Sequence, residues 1–342
     1  MADAPYDSIV LISFGGPEGP DDVIPFLENV TAGRGVPRER LAEVGEQYAQ
    51  FGGVSPINEQ NRALIAALRD GLDRADIDLP IFFGNRNWHP MLGDTVAEMA
   101  DAGHRRALGI VTSAFGSYSG CRQYREDIAA ATEGTELTID KAPQYWRHPG
   151  FLGPMAERVR DALDALGDAA DRSRLVFTAH SIPTSWTPTM PYVPQLEAAA
   201  GHISSVVFPD DPARAAAWDL VYQSRSGPPQ VPWLEPDVND HLRDLHDEGV
   251  DTVVVVPVGF VSDHMEVMFD LDTQARETAD QLGMTMVRAG TVGTHPDFVA
   301  ALVSLVEEAT LGTEPLRVVP EPGRIPCSPG CCDRPVSRRP SA

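Results

Sequence analysis

The chain has 342 residues, long enough for two α/β domains of ordinary size, and its 42% hydrophobic content suits a packed protein rather than a disordered one. A formal net charge of −23 excludes nucleic acid as a partner, because phosphate binding needs basic patches, and suits a cation better. The opening residues MADAPYDSIVLI show no secretory pattern and the longest nearly continuous apolar run, Thr252–Val261, is too short to span a bilayer, so a cytoplasmic protein with no membrane span is expected.

Along the chain, short β-branched runs alternate with helical patterns. Strands are expected at Ser8–Phe14, Ile81–Asn85, Ala107–Ser113, Arg174–Ala179 and Thr252–Phe260. Helices are expected at Pro20–Asn29, Arg38–Gln50, Asn58–Ala75, Thr95–Ala102 and Arg122–Ala131. The second half adds Phe151–Leu166, Val193–His202, Val238–Glu248, Met265–Leu282 and Pro296–Ala309. Such alternation predicts parallel sheets with helices on both faces, where ligands bind beyond the carboxyl ends of the strands. The stretch Ala142–Gly150 (APQYWRHPG) breaks the pattern and reads as a hinge. It predicts an N-terminal domain over 1–145 and a C-terminal domain over 146–295, with the helix at about 296–310 packing back on the first. The tail 317–342 has no periodicity and needs a staple to be ordered.

Two strand ends carry chemistry. RLVFTAH runs into His180, and Pro183 forces an irregular exit. A histidine there can accept a proton or bind a borderline metal, or it can be a hydrogen-bonded residue at a domain edge. Downstream, VVVVPVGFVSDHMEVMFDLD ends a buried strand and starts a helix near Asp263. Glu266 and Asp270 lie one helical turn apart and Glu277 falls on nearly the same side, so these acids form a candidate path for a metal or proton. The plainer alternative is a solvated acidic first turn; Asp272 points elsewhere and reads as solvated. One imidazole with a few carboxylates suits a transiently held divalent metal and is too sparse for a structural zinc site. Lys141 is the only lysine, so anionic substrate groups must be held by arginines, hydroxyls and backbone N–H groups.

Seven segments in order resemble the ferrochelatases: SFGGP (Ser13–Pro17), YAQFGGVSPIN (Tyr48–Asn58), NRNWHP (Asn85–Pro90), SAFGSYSGCRQY (Ser113–Tyr124), TAHSIP (Thr178–Pro183), YQSRSGPPQVPWL (Tyr222–Leu234) and PVGFVSDHMEVMFDLD (Pro257–Asp272). The resemblance runs from about Ser8 to about Phe298. It implies an α/β fold of two Rossmann-like domains, each a parallel four-stranded sheet flanked by helices in the class II chelatase manner, with a porphyrin cleft between them. It implies insertion of Fe(II) into a porphyrin with release of two protons, and His180 and Glu266 as the metal- and proton-handling pair. It places Phe14, Arg34, Tyr48, Ser55 and Tyr124 at the porphyrin. Phe14 stands where some relatives carry a tyrosine able to ligate iron, which a phenylalanine cannot do. Trp88, Trp186 and Trp233 could wall the ring or pack in the core. His89 and His264 read as supporting rather than ligating residues. Gly15, Gly16 and Gly19 lack the spacing of a dinucleotide loop and read as turn or close-approach positions.

The absence of an apolar C-terminal anchor resembles the coproporphyrin III enzymes of Gram-positive bacteria, whose four-propionate substrate is more soluble; protoporphyrin IX is the alternative. Beyond these stand a cobalt or nickel tetrapyrrole chelatase and a haem or iron carrier without turnover. The proton acceptors His180 and Glu266 argue against a carrier. A monomer is expected, in passing contact with neighbouring haem-pathway enzymes.

Four cysteines remain: Cys121 after a central strand, and Cys327, Cys331 and Cys332 in the tail. Four thiolates are the number a [2Fe–2S] cluster needs, and a cluster would order the tail. Some ferrochelatases, actinobacterial ones included, are similar in carrying one internal and three C-terminal cysteines on such a cluster. A four-thiolate zinc site or free thiols are the alternatives.

Overall fold

The structure, a computed structural model, describes residues 5–33, 35–321 and 331–333. It contains two four-stranded sheets, each wholly parallel. The first is built from β1 (Ser8–Ser13), β2 (Ile81–Asn85), β3 (Arg106–Val111) and β4 (Thr138–Lys141), in the order β2-β1-β3-β4. The second holds β5 (Arg174–His180), β6 (Trp218–Gln223), β7 (Thr252–Val256) and β8 (Thr285–Arg288), in the order β6-β5-β7-β8. In both, the strand order reverses beside the first strand, and that reversal opens a crevice at the carboxyl ends.

The central strands form because their runs are apolar and β-branched throughout. β1 and β7 are buried along their whole length, as strands covered by helices on both faces must be. β4, β6 and β8 escaped the sequence reading. TIDK and TMVR are short, half-exposed edge strands, and WDLVYQ mixes polar with apolar positions. β7 is shorter than expected: it stops at Val256, because Pro257 has no N–H to continue the ladder. The segment expected as one helix over Met265–Leu282 is a short α-turn (Met265–Val267), a wide π-helical stretch (Met268–Ala275) and a regular turn (Arg276–Leu282).

The largest apolar core is continuous across both halves, from Leu11 and Leu68 through Trp146 and Phe151 to Phe177 and Val254. The helix Pro296–Leu311 packs on the helices Ile57–Arg74 and Pro149–Leu166, one from each half. Gly150 permits that contact, since a Cβ there would lie 2.3 Å from the carbonyl oxygen of Asp297. Among the described residues no helix is long and apolar enough to cross a membrane.

Candidate functional site

His180 is the last residue of β5 and pairs in register with Gln223, the last residue of β6. Beyond Val256 the chain crosses the tip of β5, where the Gly259 N–H donates to the Thr178 carbonyl at 3.1 Å. Only glycine fits that crossing: a Cβ would meet Ala179 Cβ at 2.8 Å and Cα at 2.9 Å. The crossing delivers His264 and Glu266 beside His180. His180 Nε2 and Glu266 Oε1 stand 3.5 Å apart, with the side chains 32% and 43% exposed. His264 Nδ1 accepts the Glu266 N–H at 3.2 Å and so caps the turn that presents Glu266.

The protonation pattern follows from these contacts. His180 Nδ1 lies 2.5 Å from the Ser181 carbonyl, which only accepts, so Nδ1 carries a hydrogen and Nε2, facing Glu266, is the position that gains or loses the second proton. Burial pulls the His180 pKa down, but Glu266 outweighs it and the net direction is up. Burial pushes Glu266 up, yet the hydrogen bond from His180 and the two histidine charges bring it down to about 2. Burial lowers His264.

β6 supports the pair from the other side. Gln223 Nε2 donates to the Glu266 carbonyl at 2.5 Å, and Ser224 Oγ donates to Asp270. Burial first, and then the charges of Glu266 and Asp237, raise the Asp270 pKa to about 6 despite that bond. Asp237 helps wall a cavity of about 510 Å³ lined also by Ser181, Gln223, Arg225 and Asp240. Glu277 lies exposed further along the helix. Asp272 corrects the expectation of solvation: Arg288 grips both its oxygens, at 2.6 and 2.9 Å.

In the N-terminal half, an aromatic group gathers past the tips of β1 and β2. Buried Phe26 meets Phe14, Tyr48 and Trp88 edge-on at 6.2, 6.1 and 6.2 Å. Arg86 lies over Tyr124 at 4.8 Å and over Phe14 at 5.9 Å, and pairs with Asp127 at 3.0 Å. Ser55 is buried against Gly16, where a Cβ would come within 2.6 Å of it. Asn58 holds this corner together, donating to the carbonyls of Gly16 and His89 and to Glu18. Thus His89 serves through its backbone. Burial raises the phenols of Tyr48 and Tyr124, the latter to about 12, and the Glu266 charge adds to both. One carboxylate of the C-terminal half is therefore in electrostatic reach of two phenols of the N-terminal half. Trp186 stacks edge-on against Tyr118 at 5.5 Å, and Trp233 fills a space that Gly227 leaves free. Arg34 and Cys327 lie outside the described residues.

Of the other cysteines, Cys121 and Cys332 are buried and Cys331 is half-buried. The sulfurs of Cys331 and Cys332 stand 3.7 Å apart, and Asp333 pairs with Arg122, the neighbour of Cys121, at 3.1 Å. Among the described residues, no group of three or more His, Cys, Asp or Glu side chains is already set to hold a metal ion. Sequence reasoning quoted the segments holding Gln223 and Ser224 but gave these residues no role, and it missed Arg288 altogether. Their signal is the register of β6 and β8 against the neighbouring strands, which composition does not carry.

The family model for ferrochelatase matches residues 6–310. A coproporphyrin III ferrochelatase of Nocardia farcinica is 52% identical, with 98% of each chain covered. A second, from Streptomyces griseus, is 49% identical over 96% of this chain and 94% of its own. A ferrochelatase of Rhodopirellula baltica is also 49% identical, over 96% and 93%. Among solved structures, SirB from Bacillus subtilis with Fe3+ superposes with a TM-score of 0.54 at 11% identity, covering 89% of this chain and 95% of that one. CbiX, an enzyme of sirohaem biosynthesis, gives 0.51 at 15%, covering 88% and 99%. These two likenesses establish the fold.

Proposed function

The chain belongs to the ferrochelatase family, and from that premise we propose that it inserts Fe(II) into coproporphyrin III to give coprohaem, with His180 and Glu266 handling the metal and the departing protons. The observation that carries the assignment of residues is the His180–Glu266 pair, 3.5 Å apart at the tip of β5.

The chemistry follows from what each group can do. A free-base porphyrin carries two pyrrole protons, and both must leave as Fe(II) enters. His180 offers Nε2 as a lone pair to the metal or to one proton, because Nδ1 is committed to Ser181. Glu266, ionised at neutral pH, supplies negative charge to a divalent cation shedding its water. Asp270 titrates near neutrality and can take the second proton onward. Phe14 places no ligand on the opposite face of the ring. The residues proposed to meet the substrate are Tyr48, Ser55, Tyr124 and Arg34, because hydroxyls and an arginine serve propionates. Binding energy spent on holding the ring in the cleft is available to bend it and bare the pyrrole lone pairs. Rates with Fe(II) under anaerobic conditions should favour coproporphyrin III over protoporphyrin IX by at least about tenfold in kcat/KM. Equal rates, or a preference for protoporphyrin IX, would reverse the substrate assignment.

The chain also carries a [2Fe–2S] cluster on Cys121, Cys327, Cys331 and Cys332 in this reading. Two thiolates on one tetrahedral metal, each about 2.3 Å away, lie about 3.8 Å apart. The 3.7 Å between the Cys331 and Cys332 sulfurs fits that requirement. The Asp333–Arg122 pair brings the tail to the turn that carries Cys121. The cluster would supply a crosslink between tail and core, and reduced thiolates accord with a cytoplasmic location. Freshly purified protein should be coloured and contain two irons and two sulfides per chain, and Cys332→Ser should lose both colour and thermal stability. A colourless native protein with one zinc per chain would replace the cluster with a zinc site.

A further inference from the structure

We infer that Arg288 is a positioning residue for metal capture, binding both ends of the segment that carries His264, Glu266 and Asp270 with a single guanidinium. The inference rests on the reading of His180 and Glu266 as the metal-handling pair.

Arg288 ends β8 and pairs in register with Val255 of β7, so its side chain leaves the carboxyl end of the edge strand of this sheet. Its Nε and Nη2 donate to the two oxygens of Asp272 at 2.6 and 2.9 Å, a two-point grip that fixes orientation as well as distance. Its Nη1 donates to Asp263 Oδ1 at 3.2 Å. Thr291 Oγ1 donates to the same oxygen at 3.3 Å. The Asp263 N–H in turn donates to Gln60 Oε1, at 2.9 Å, from the N-terminal half. Asp263 directly precedes His264, and Asp272 follows Asp270 by two residues. Every metal-facing group of the segment therefore lies between two acids tied to one cation.

Two physical consequences follow. The stretch Met268–Ala275 is π-helical, a winding that is rare and confined to short stretches, and an external tie offsets its tendency to relax to a tighter turn. Such relaxation would rotate Asp270 and pull Glu266 away from His180. The second consequence is electrostatic. Arg288 is 15% exposed, so its ion pairs are largely shielded from solvent and keep their strength. Its single positive charge offsets one of the two negative charges of Asp263 and Asp272, leaving Glu266 and Asp270 as the carboxylates of this segment without an arginine. A cation arriving at the cleft is then drawn to those two. A lysine could not substitute, because one ammonium lacks the planar fork that serves two acids at once.

The test is Co(II) binding to the porphyrin-free protein, followed by the visible absorption of the bound ion, with coproporphyrin III binding measured separately by fluorescence quenching. Arg288→Met, Arg288→Lys and Asp272→Asn should each weaken Co(II) by about tenfold or more, the range seen when groups that orient metal ligands are removed. Porphyrin affinity should stay within about twofold, and in turnover the loss should fall on the KM for Fe(II). Asp272→Asn keeps the side chain's volume and decides the matter alone if the arginine variants do not fold. Unchanged Co(II) affinity, with only a lower melting temperature, would overturn the inference. If instead His180→Ala leaves Co(II) binding intact, the metal-pair reading itself fails and the inference falls with it.

Discussion

His180 and Glu266 have complementary protonation needs. In the metal-free protein each steadies the charged form of the other: Glu266 raises His180, and His180 lowers Glu266 to about 2. Burial alone would hold His180 low, and the carboxylate 3.5 Å away reverses the sign. In the proposed reaction Fe(II) would compete for the same Nε2 lone pair, coupling metal arrival and proton departure at one atom. Asp270 titrates on its own scale. With a pKa of about 6 it is protonated below that pH and a carboxylate above it. Insertion rate at saturating porphyrin should therefore rise with pH through about 6, and Asp270→Asn should be slower by about tenfold and lose that limb of the profile. An Asp270→Asn profile that keeps the limb would assign it to another group. Legibility at this scale was uneven. His180 and Glu266 were legible because strand ends and motif order pointed to both. Gln223, Ser224 and Arg288 were not, because their roles arise only once β6 and β8 lie beside β5 and β7. Ser224 even adopts a left-handed backbone, φ 61°, that no serine in a sequence announces.

At the scale of elements, the site depends on two departures from regularity. The chain leaves β7 early at Pro257 and passes over β5 at Gly259, which puts the loop 260–264 on top of His180 rather than beyond it. The helix that follows winds wide over Met268–Ala275, so the α-helical spacing that grouped Glu266, Asp270 and Glu277 does not carry across it. Helical periodicity is visible in a sequence; a local change of winding is not. The helix Pro149–Leu166, which opens the C-terminal half, makes its own titration visible. His148 caps it, accepting the Gly150 N–H at Nδ1, so its Nε2–H must donate to Ser304 Oγ. Burial is the main cause that drops its pKa from 6.5 to about 4. The unfolded chain thus binds a proton here that the folded chain refuses, and stability must fall as pH falls from about 6.5 to about 4. The loss should reach up to about 3 kcal/mol, read as a falling urea midpoint. His148→Asn keeps a capping oxygen without the titration and should flatten that slope. An unchanged slope would place the effect elsewhere.

At the scale of the whole molecule, the two sheets are joined through one shared apolar core. That core runs through Trp146, Phe151 and Phe298. Single polar links such as Asp263 to Gln60, and the Gly116 N–H to Gln195 at 2.7 Å, tie them elsewhere. The fold class was legible because the alternation of elements predicts parallel sheets and the seven motifs imply two of them; the shared core was not, since it is assembled from residues far apart in the chain. The acidic surface, with a net charge of −23, suits a protein whose cargo is a cation. The most direct measurement is the anaerobic rate of Fe(II) insertion into coproporphyrin III by the native protein, His180→Ala and Glu266→Gln, with porphyrin binding checked in each. The expected result is normal porphyrin binding with insertion reduced by at least about a hundredfold in both variants. Insertion by His180→Ala at the native rate would contradict the assignment of this pair to the metal.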